Sequence, residues 1–183
     1  MTDWQTLSTE VVYETPWIKV HKDQVRIPSG KEITYSYMEL QNPSVFIVAV
    51  DADGKILLQK TYRYPIRKRI WEIPAGYMDP NEEPVEAARR ELKEETGLVS
   101  DDWHDLGRIN QIVGTGNVPL QAFLARNVVK DGAATDLEED IQDQQFKTLE
   151  EIEDMIRTHE LIDSPVIGII YMAKLYGLQK EKA

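Results

Sequence analysis

The chain has 183 residues, and 21 Lys and Arg against 32 Asp and Glu give a formal net charge of −11, which argues against a nucleic-acid partner because phosphates need clustered cations. Hydrophobic residues at 42% and charged ones at 29% fit one folded domain with room for a small appendage and exclude wholesale disorder. No cysteine is present, which excludes disulfides, thiolate metal sites and a cysteine nucleophile, and agrees with a reducing cytoplasm as the place of action. At the N-terminus Met1-Thr2-Asp3-Trp4 offers neither a basic flank nor an apolar stretch, so no secretory signal is expected. The first 42 residues read as a small antiparallel β unit, with strands over 17–27 and 32–40 about a turn at Pro28-Ser29-Gly30-Lys31. A second domain is expected over 43–183. It opens with a hairpin of 45–50 and 56–62 about Asp51-Ala52-Asp53-Gly54, followed by a short strand at 70–73 that Pro74 ends. The run 45–50 is the longest aliphatic and aromatic stretch, at six residues, against the ~20 that cross a bilayer. No membrane partner is expected.

Pro84 is well placed to begin a helix, Val85, Ala88 and Leu92 make its apolar stripe, and Gly97 is its expected left-handed cap. Strands follow near 106–113 and 118–125. Thr148-Leu149-Glu150-Glu151 is a capping box opening a helix to about 157, and Ser164-Pro165 starts a last apolar helix ending near 177. Strands first, an acidic helix in the middle and two late helices predict a mixed α/β (α+β) fold and not a doubly wound sheet.

The chemistry concentrates between Gly76 and Leu98. On a helix Glu91 and Glu95 are four apart and Glu94 is three from Glu91, so the three share a face, while Ala88 and Leu92 look toward a core. A Glu-rich helix face is ordinarily just solvated. Here the acids crowd the C-terminal end, where the macrodipole disfavours them, and a tight loop at Pro74-Ala75-Gly76 leads toward them with its backbone carbonyls. A hard divalent cation with oxygen ligands would offset that penalty and the mutual repulsion of the clustered carboxylates.

These residues resemble, at every specified position, the signature of the Nudix hydrolases: Gly76, five residues, Glu82, seven residues, then Arg90-Glu91-Leu92-Lys93-Glu94-Glu95-Thr96-Gly97-Leu98. Seven fixed residues at about 6% usage each make a chance match at a given position roughly one in 10⁸ or rarer. The resemblance implies a Nudix fold, a mixed sheet between helices with the signature as loop–helix–loop. It also implies hydrolysis of a nucleoside diphosphate linked to another moiety, with Mg²⁺ as cofactor and Mn²⁺ as a substitute. By motif position Glu91, Glu94 and Glu95 would hold the metal with the Ala75 carbonyl as a further ligand. Glu82 and Arg90, counted with the catalytic set, would brace the loop–helix–loop.

Trp71-Glu72-Ile73-Pro74-Ala75-Gly76 and Tyr62-Arg63-Tyr64, with Arg63 nine residues before Glu72, are similar to the ADP-ribose pyrophosphatase branch, as is the front end with Trp17, Gly30-Lys31 and Thr34-Tyr35. That likeness implies a homodimer in which Trp17 and Tyr35 stack on the adenine and Arg63 and Glu72 contact substrate. Ordinary strand packing is the alternative for the two rings, and a solvated hairpin end for Arg63 and its neighbours Arg67-Lys68-Arg69, of which the last three are expected to be structural or dimer-contact residues. In the same branch a loop beyond the signature carries the acid that takes a proton from the attacking water. By that resemblance Asp136-Leu137-Glu138-Glu139-Asp140-Ile141 would supply it, with Glu139 first by alignment on Ile141 and Glu138 next; a plain acidic surface loop is the alternative. One departure stands out: Val113-Gly114-Thr115-Gly116-Asn117-Val118-Pro119 has two glycines and no acid where the branch has a loop ending in one.

His21, His104 and His159 lie far apart without ligand spacing, which predicts packing or surface roles. The leading expectation is a cytoplasmic Mg²⁺-dependent hydrolase of ADP-ribose or a related nucleoside diphosphate sugar. The alternatives are another substrate on the same chemistry (a different nucleoside diphosphate sugar, a dinucleotide, an oxidised nucleotide) or a silent nucleotide-sensing module, which would ordinarily have lost a signature Glu. The charge is also localised: residues 76–98 carry −4 and 136–154 carry −8, leaving the remainder at +1.

Overall fold

The computed structural model of the protein describes residues 3–134 and 140–178. Its elements in chain order are β1 (Gln5–Glu14), β2 (Ile18–Arg26), β3 (Glu32–Leu40), β4 (Ser44–Ala49), β5 (Ile56–Arg63), β6 (Lys68–Glu72), β7 (Ala75–Tyr77), α1 (Pro84–Thr96), β8 (Leu98–Val99), β9 (Asp102–Asn110), β10 (Gly116–Asn117), β11 (Pro119–Arg126), β12 (Val129–Lys130), β13 (Asp143–Lys147), α2 (Leu149–Arg157) and α3 (Ser164–Leu175). The mixed α/β class read from the sequence is the one found. The chain divides into two compact units, Met1–Pro43 with Ile109–Leu120, and Ser44–Arg108 with Gln121–Ala183.

The first unit is a sheet of order β1-β2-β3-β10. β2 and β3 pair without a break from Ile18↔Leu40 to Arg26↔Glu32. His21, Asp23 and Val25 are buried while Lys22, Gln24 and Arg26 are exposed, the period of two of a half-buried strand. β1 has no such signal because all ten of its residues are exposed, and its ladder with β2 shifts register at Thr6/Ser8 and Val11/Tyr13. With neither face buried, the sequence has no reason to alternate. β10 runs parallel to β3 through Gly116↔Met38. A Cβ on Gly116 would meet the Ile112 side chain and come within 3.1 Å of the Met38 carbonyl, so one glycine of the 113–119 loop serves close backbone approach.

The second unit holds the sheets β7-β4-β11-β9 and β13-β5-β6 and the short pair β12-β8. The hairpin expected over 45–62 is corrected here. β4 and β5 lie in different sheets, and an isolated bridge at Val50↔Ile56 is where the two segments pair. β4 instead pairs with β7 (Val45↔Gly76), and β5 pairs with β6 and β13. A turn between two β runs signals a local pairing, but β4 is buried almost throughout, and such a strand chooses partners by packing. The loop expected at 74–76 likewise enters a strand, β7, after Pro74. β13, at only five residues, was not foreseen.

Val45, Ile47, Ala49, Leu57 and Phe123 form the core onto which α1 sets Ala87, Ala88 and Leu92. Burying Leu92 completely contributes about 2–3 kcal/mol. Gly97 ends α1 at φ +66, donating its N–H to the Lys93 carbonyl, and a side chain there would strike the Gly132 carbonyl as well. The capping box of α2 is formed as the sequence predicts. The Thr148 hydroxyl accepts from the Glu151 N–H at 3.2 Å, and the Glu151 carboxylate accepts from the Thr148 N–H at 2.7 Å, together contributing about 1 kcal/mol. Among the described residues no helix is long and apolar enough to cross a membrane.

Candidate active site

The apolar stripe of α1 fixes its roll on the core and so turns Glu91, Glu94 and Glu95 to a common side. Arg90 organises them. Its Nε and Nη2 donate to the two Glu82 carboxylate oxygens at 3.0 and 2.9 Å, and Nη2 also donates to the Tyr77 carbonyl at 3.0 Å. Nη1 donates to Glu91 at 2.8 Å and to Glu94 at 3.1 Å. A guanidinium has five N–H groups, and these contacts account for five. One side chain thus ties the end of β7, the turn after it and the helix together. Glu82 also accepts from the Asp79 N–H at 2.9 Å, closing the turn. The brace expected of Glu82 and Arg90 has a geometric basis.

The hydrogen bond from Arg90 holds the Glu82 carboxyl below its ordinary value of 4.5, helped by the Asp79 N–H, and the same carboxylate with its neighbours pushes Arg90 further up. For a lowered carboxyl pKa, the stability gained is present above 4.5 and drains away as pH falls through the folded value. The wild type should therefore lose stability on acidification more steeply than Glu82→Gln. Urea midpoints measured from neutral pH downward check this, and parallel curves for the two proteins would contradict it.

Glu91 is buried, and its carboxylate rests on Gly76: a Cβ built there would overlap all three carboxylate atoms. Hence the glycine of the signature, which lets an acid of α1 lie against the backbone one residue from the Ala75 carbonyl. Glu95 is 1% exposed and accepts from Gln59 Nε2 at 2.7 Å. Glu94 is more open, with 43% of its side chain exposed. The acids are not drawn onto a single point: among the described residues no three His, Asp or Glu side chains stand within reach of one cation, and Arg90 Nη1 bridges Glu91 and Glu94. The donor set nevertheless fits a hard divalent ion. It offers only oxygens, it places the carboxylates of Glu82, Glu91 and Glu94 around one guanidinium with Glu95 on the next turn of the same helix, and Gly76 keeps a cradle that any side chain would fill.

Along β5 the face toward α1 changes from apolar to polar through Leu57, Gln59, Thr61 and Arg63. Across the sheet Gln144, Gln59 and Glu72 are in register on that face. Arg63 Nε donates to both Glu72 oxygens, at 2.9 and 2.8 Å, and Nη2 reaches Oε2 at 2.8 Å. Glu72 is 5% exposed. The structure therefore brings Arg63 and Glu72 together as an ion pair on the row that reaches Glu95. Gln59 and Gln144 are the site residues that sequence reasoning missed, although Gln59, two residues after Leu57 and so on the same face of the strand, was a readable signal.

Trp17 and Tyr35 belong to the first unit, Trp17 exposed and Tyr35 donating its hydroxyl to the Gly114 carbonyl at 2.7 Å with Trp4 edge-on to its ring. Glu138 and Glu139 lie outside the described residues. Asp140, which follows them, is held by Arg69 through its carboxylate at 2.8 Å and its carbonyl at 3.3 Å. That gives Arg69 a structural tie and pairs Asp140 at the surface. His21 stacks on Tyr37 and meets Glu39 at 3.1 Å, and His104 packs on Tyr176.

The comparisons agree with this construction. Residues 40–167 match the NUDIX domain, and residues 4–38 match the nucleoside diphosphate sugar hydrolase N-terminal domain. An ADP-ribose pyrophosphatase of Mycobacterium tuberculosis is 35% identical over 124 residues, 67% of this chain and 59% of that protein. An ADP-ribose pyrophosphatase of Bacillus subtilis is 28% identical over 181 residues, 97% of each. In fold, a crystal structure of an ADP compounds hydrolase superposes with a TM-score of 0.84 at 20% identity, covering 96% of this chain and 95% of the other. A family match across most of the chain, over a helix whose acids and arginine are arranged as described, establishes that the protein belongs to the Nudix hydrolase family.

Proposed function

We propose that this protein hydrolyses the diphosphate bond of ADP-ribose or a related nucleoside diphosphate sugar, releasing a nucleoside monophosphate and a sugar phosphate, with Mg²⁺ as cofactor and Mn²⁺ as a substitute. The observation that carries the reading is the Arg90-centred assembly with Glu91 seated on Gly76 and Glu95 buried behind it. Glu91, Glu94, Glu95 and the Ala75 carbonyl would hold the metal, whose chemistry when bound is to neutralise diphosphate charge and make water a better nucleophile. Arg63, oriented by Glu72, pairs with phosphate oxygens. Glu139, with Glu138 next, accepts the proton of the attacking water as the new P–O bond forms and the bridging P–O bond breaks. The pairing of Asp140 with Arg69 supports placing that role on one of these two. Trp17 and Tyr35 stack on the adenine in a homodimer, with residues 1–42 as the dimerising β unit, and the absence of cysteine fits a cytoplasmic enzyme.

A panel of ADP-ribose, other nucleoside diphosphate sugars, dinucleotides and oxidised nucleotides, with metal and pH varied and products identified, tests the reading. AMP and ribose 5-phosphate from ADP-ribose are the expected products, and no turnover of any diphosphate would end the enzymatic claim. Glu139→Gln should lower kcat by about 10²–10⁴-fold with metal affinity unchanged; an unaltered rate transfers the role to Glu138. Sedimentation at micromolar protein should show a dimer, and a monomer would remove the shared adenine pocket.

A further inference from the structure

Behind α1 a closed ring of polar contacts, buried at Gln59 and Glu95 and reaching the surface at Gln144, is employed by none of the steps above. Gln59 Nε2 donates to Glu95 Oε2 at 2.7 Å, Gln144 Nε2 donates to Gln59 Oε1 at 3.4 Å, and the same Gln144 nitrogen donates to the main-chain carbonyl of Glu95 at 3.0 Å. The ring begins and ends on one residue, holding its side chain and its backbone at once. Its polarity is fixed. A carboxylate and a carbonyl only accept, so Gln144 must turn its amide nitrogen toward Glu95, which leaves its second N–H for Gln59 Oε1 and forces the Gln59 nitrogen onto the carboxylate. Gln59 and Gln144 face one another in the β5–β13 ladder, so backbone pairing sets their spacing. Gln59 is 2% exposed against 1% for Glu95, and in so dry a place a donor at a carboxylate oxygen is worth far more than in water.

We propose that Gln59 is a positioning residue for Glu95. By holding Oε2 it fixes the carboxylate plane and the direction in which the other oxygen is offered, with Gln144 locking the Gln59 amide. This rests on the reading of Glu95 as a metal ligand. Outer partners that orient a ligand typically change metal affinity by about 10–100-fold when lost.

The test is Mn²⁺ binding to the full chain without substrate, followed by paramagnetic resonance, beside the melting temperature of the metal-free protein. Gln59→Met keeps the volume and removes the donor. It should weaken Mn²⁺ binding by about 10–100-fold, lower the metal-free melting temperature because it strips a buried carboxylate oxygen of its donor, and recover activity as Mg²⁺ is raised. Gln144→Met, at an exposed position, should act in the same direction but more weakly. If Gln59→Met does not fold, Gln59→Asn, with the amide withdrawn by one methylene, must show the same loss of affinity. Wild-type Mn²⁺ affinity in these variants would overturn the proposal, even if stability fell. Failure of the wild type itself to bind Mn²⁺, with Glu95→Gln indistinguishable from it, would instead overturn the metal reading on which the proposal stands.

Discussion

Glu95→Gln should lower kcat by about 10³-fold or more while leaving the protein at least as stable as the wild type in the absence of metal. The two halves of this expectation have opposite causes. A carboxylate that is 1% exposed, on a helix face with Glu91 and Glu94, is costly in the metal-free fold. A neutral amide of the same shape removes like-charge repulsion and can still present an oxygen to Gln59 Nε2. What the amide cannot supply is the charge that attracts a divalent cation and shares its own charge with a diphosphate. Added Mg²⁺ should therefore raise the melting temperature of the wild type, since it binds only the folded state, and fail to do so in the variant. Glu94→Gln, at a far more open position, should show a smaller loss of both. Turnover and metal stabilisation undiminished in Glu95→Gln would remove Glu95 from the metal set, and with it the argument that its burial serves catalysis.

How much of this was legible beforehand depends on whether a feature is written locally. Helical spacing of Glu91, Glu94 and Glu95 was plain because a period near four is a property of the chain itself. The reason for Gly76 was not, because it lies in the contact between its Cα and an acid fifteen positions later. β2 and β3 could be read from their β-forming residues on either side of a Pro-Ser-Gly turn, whereas β1, exposed on both faces, left no pattern. The turn at 51–54 is written locally and signals a hairpin, but β4 is a buried strand whose partners, β7 among them, are set by packing. The polar row of Gln144, Gln59 and Glu72 belongs to three strands and exists only once β5 has chosen its neighbours. The local acidity, −4 over residues 76–98, is only in part a solvated coat: Glu82, Glu91 and Glu94 are gathered on Arg90 and Glu95 is held by Gln59, while Glu86 stays at the surface beside Arg89.

The pair Arg63–Glu72 carries the other large expectation, because its two possible duties can be separated. Arg63→Ala should raise KM for ADP-ribose by about 10–100-fold, the size of a lost charged hydrogen bond of roughly 1.5–3 kcal/mol, with a smaller fall in kcat. The same change takes from Glu72, a carboxylate 5% exposed, its guanidinium partner. Loss of one member of a fully buried pair costs about 3–5 kcal/mol; with 41% of the Arg63 side chain exposed, water recovers part of that, and about 1–3 kcal/mol is expected here. Arg63→Lys keeps the charge but not the fork that spans both carboxylate oxygens, so it should rescue stability better than KM. The double variant Arg63→Met with Glu72→Gln decides the matter. Neutralising both partners removes the stranded charge and should restore the urea midpoint to near the wild-type value, while KM stays high because no guanidinium remains for the phosphates. If KM returned together with stability, Arg63 would be a partner for Glu72 and nothing more, and the phosphate contact would have to be sought on another cation of the 63–69 hairpin.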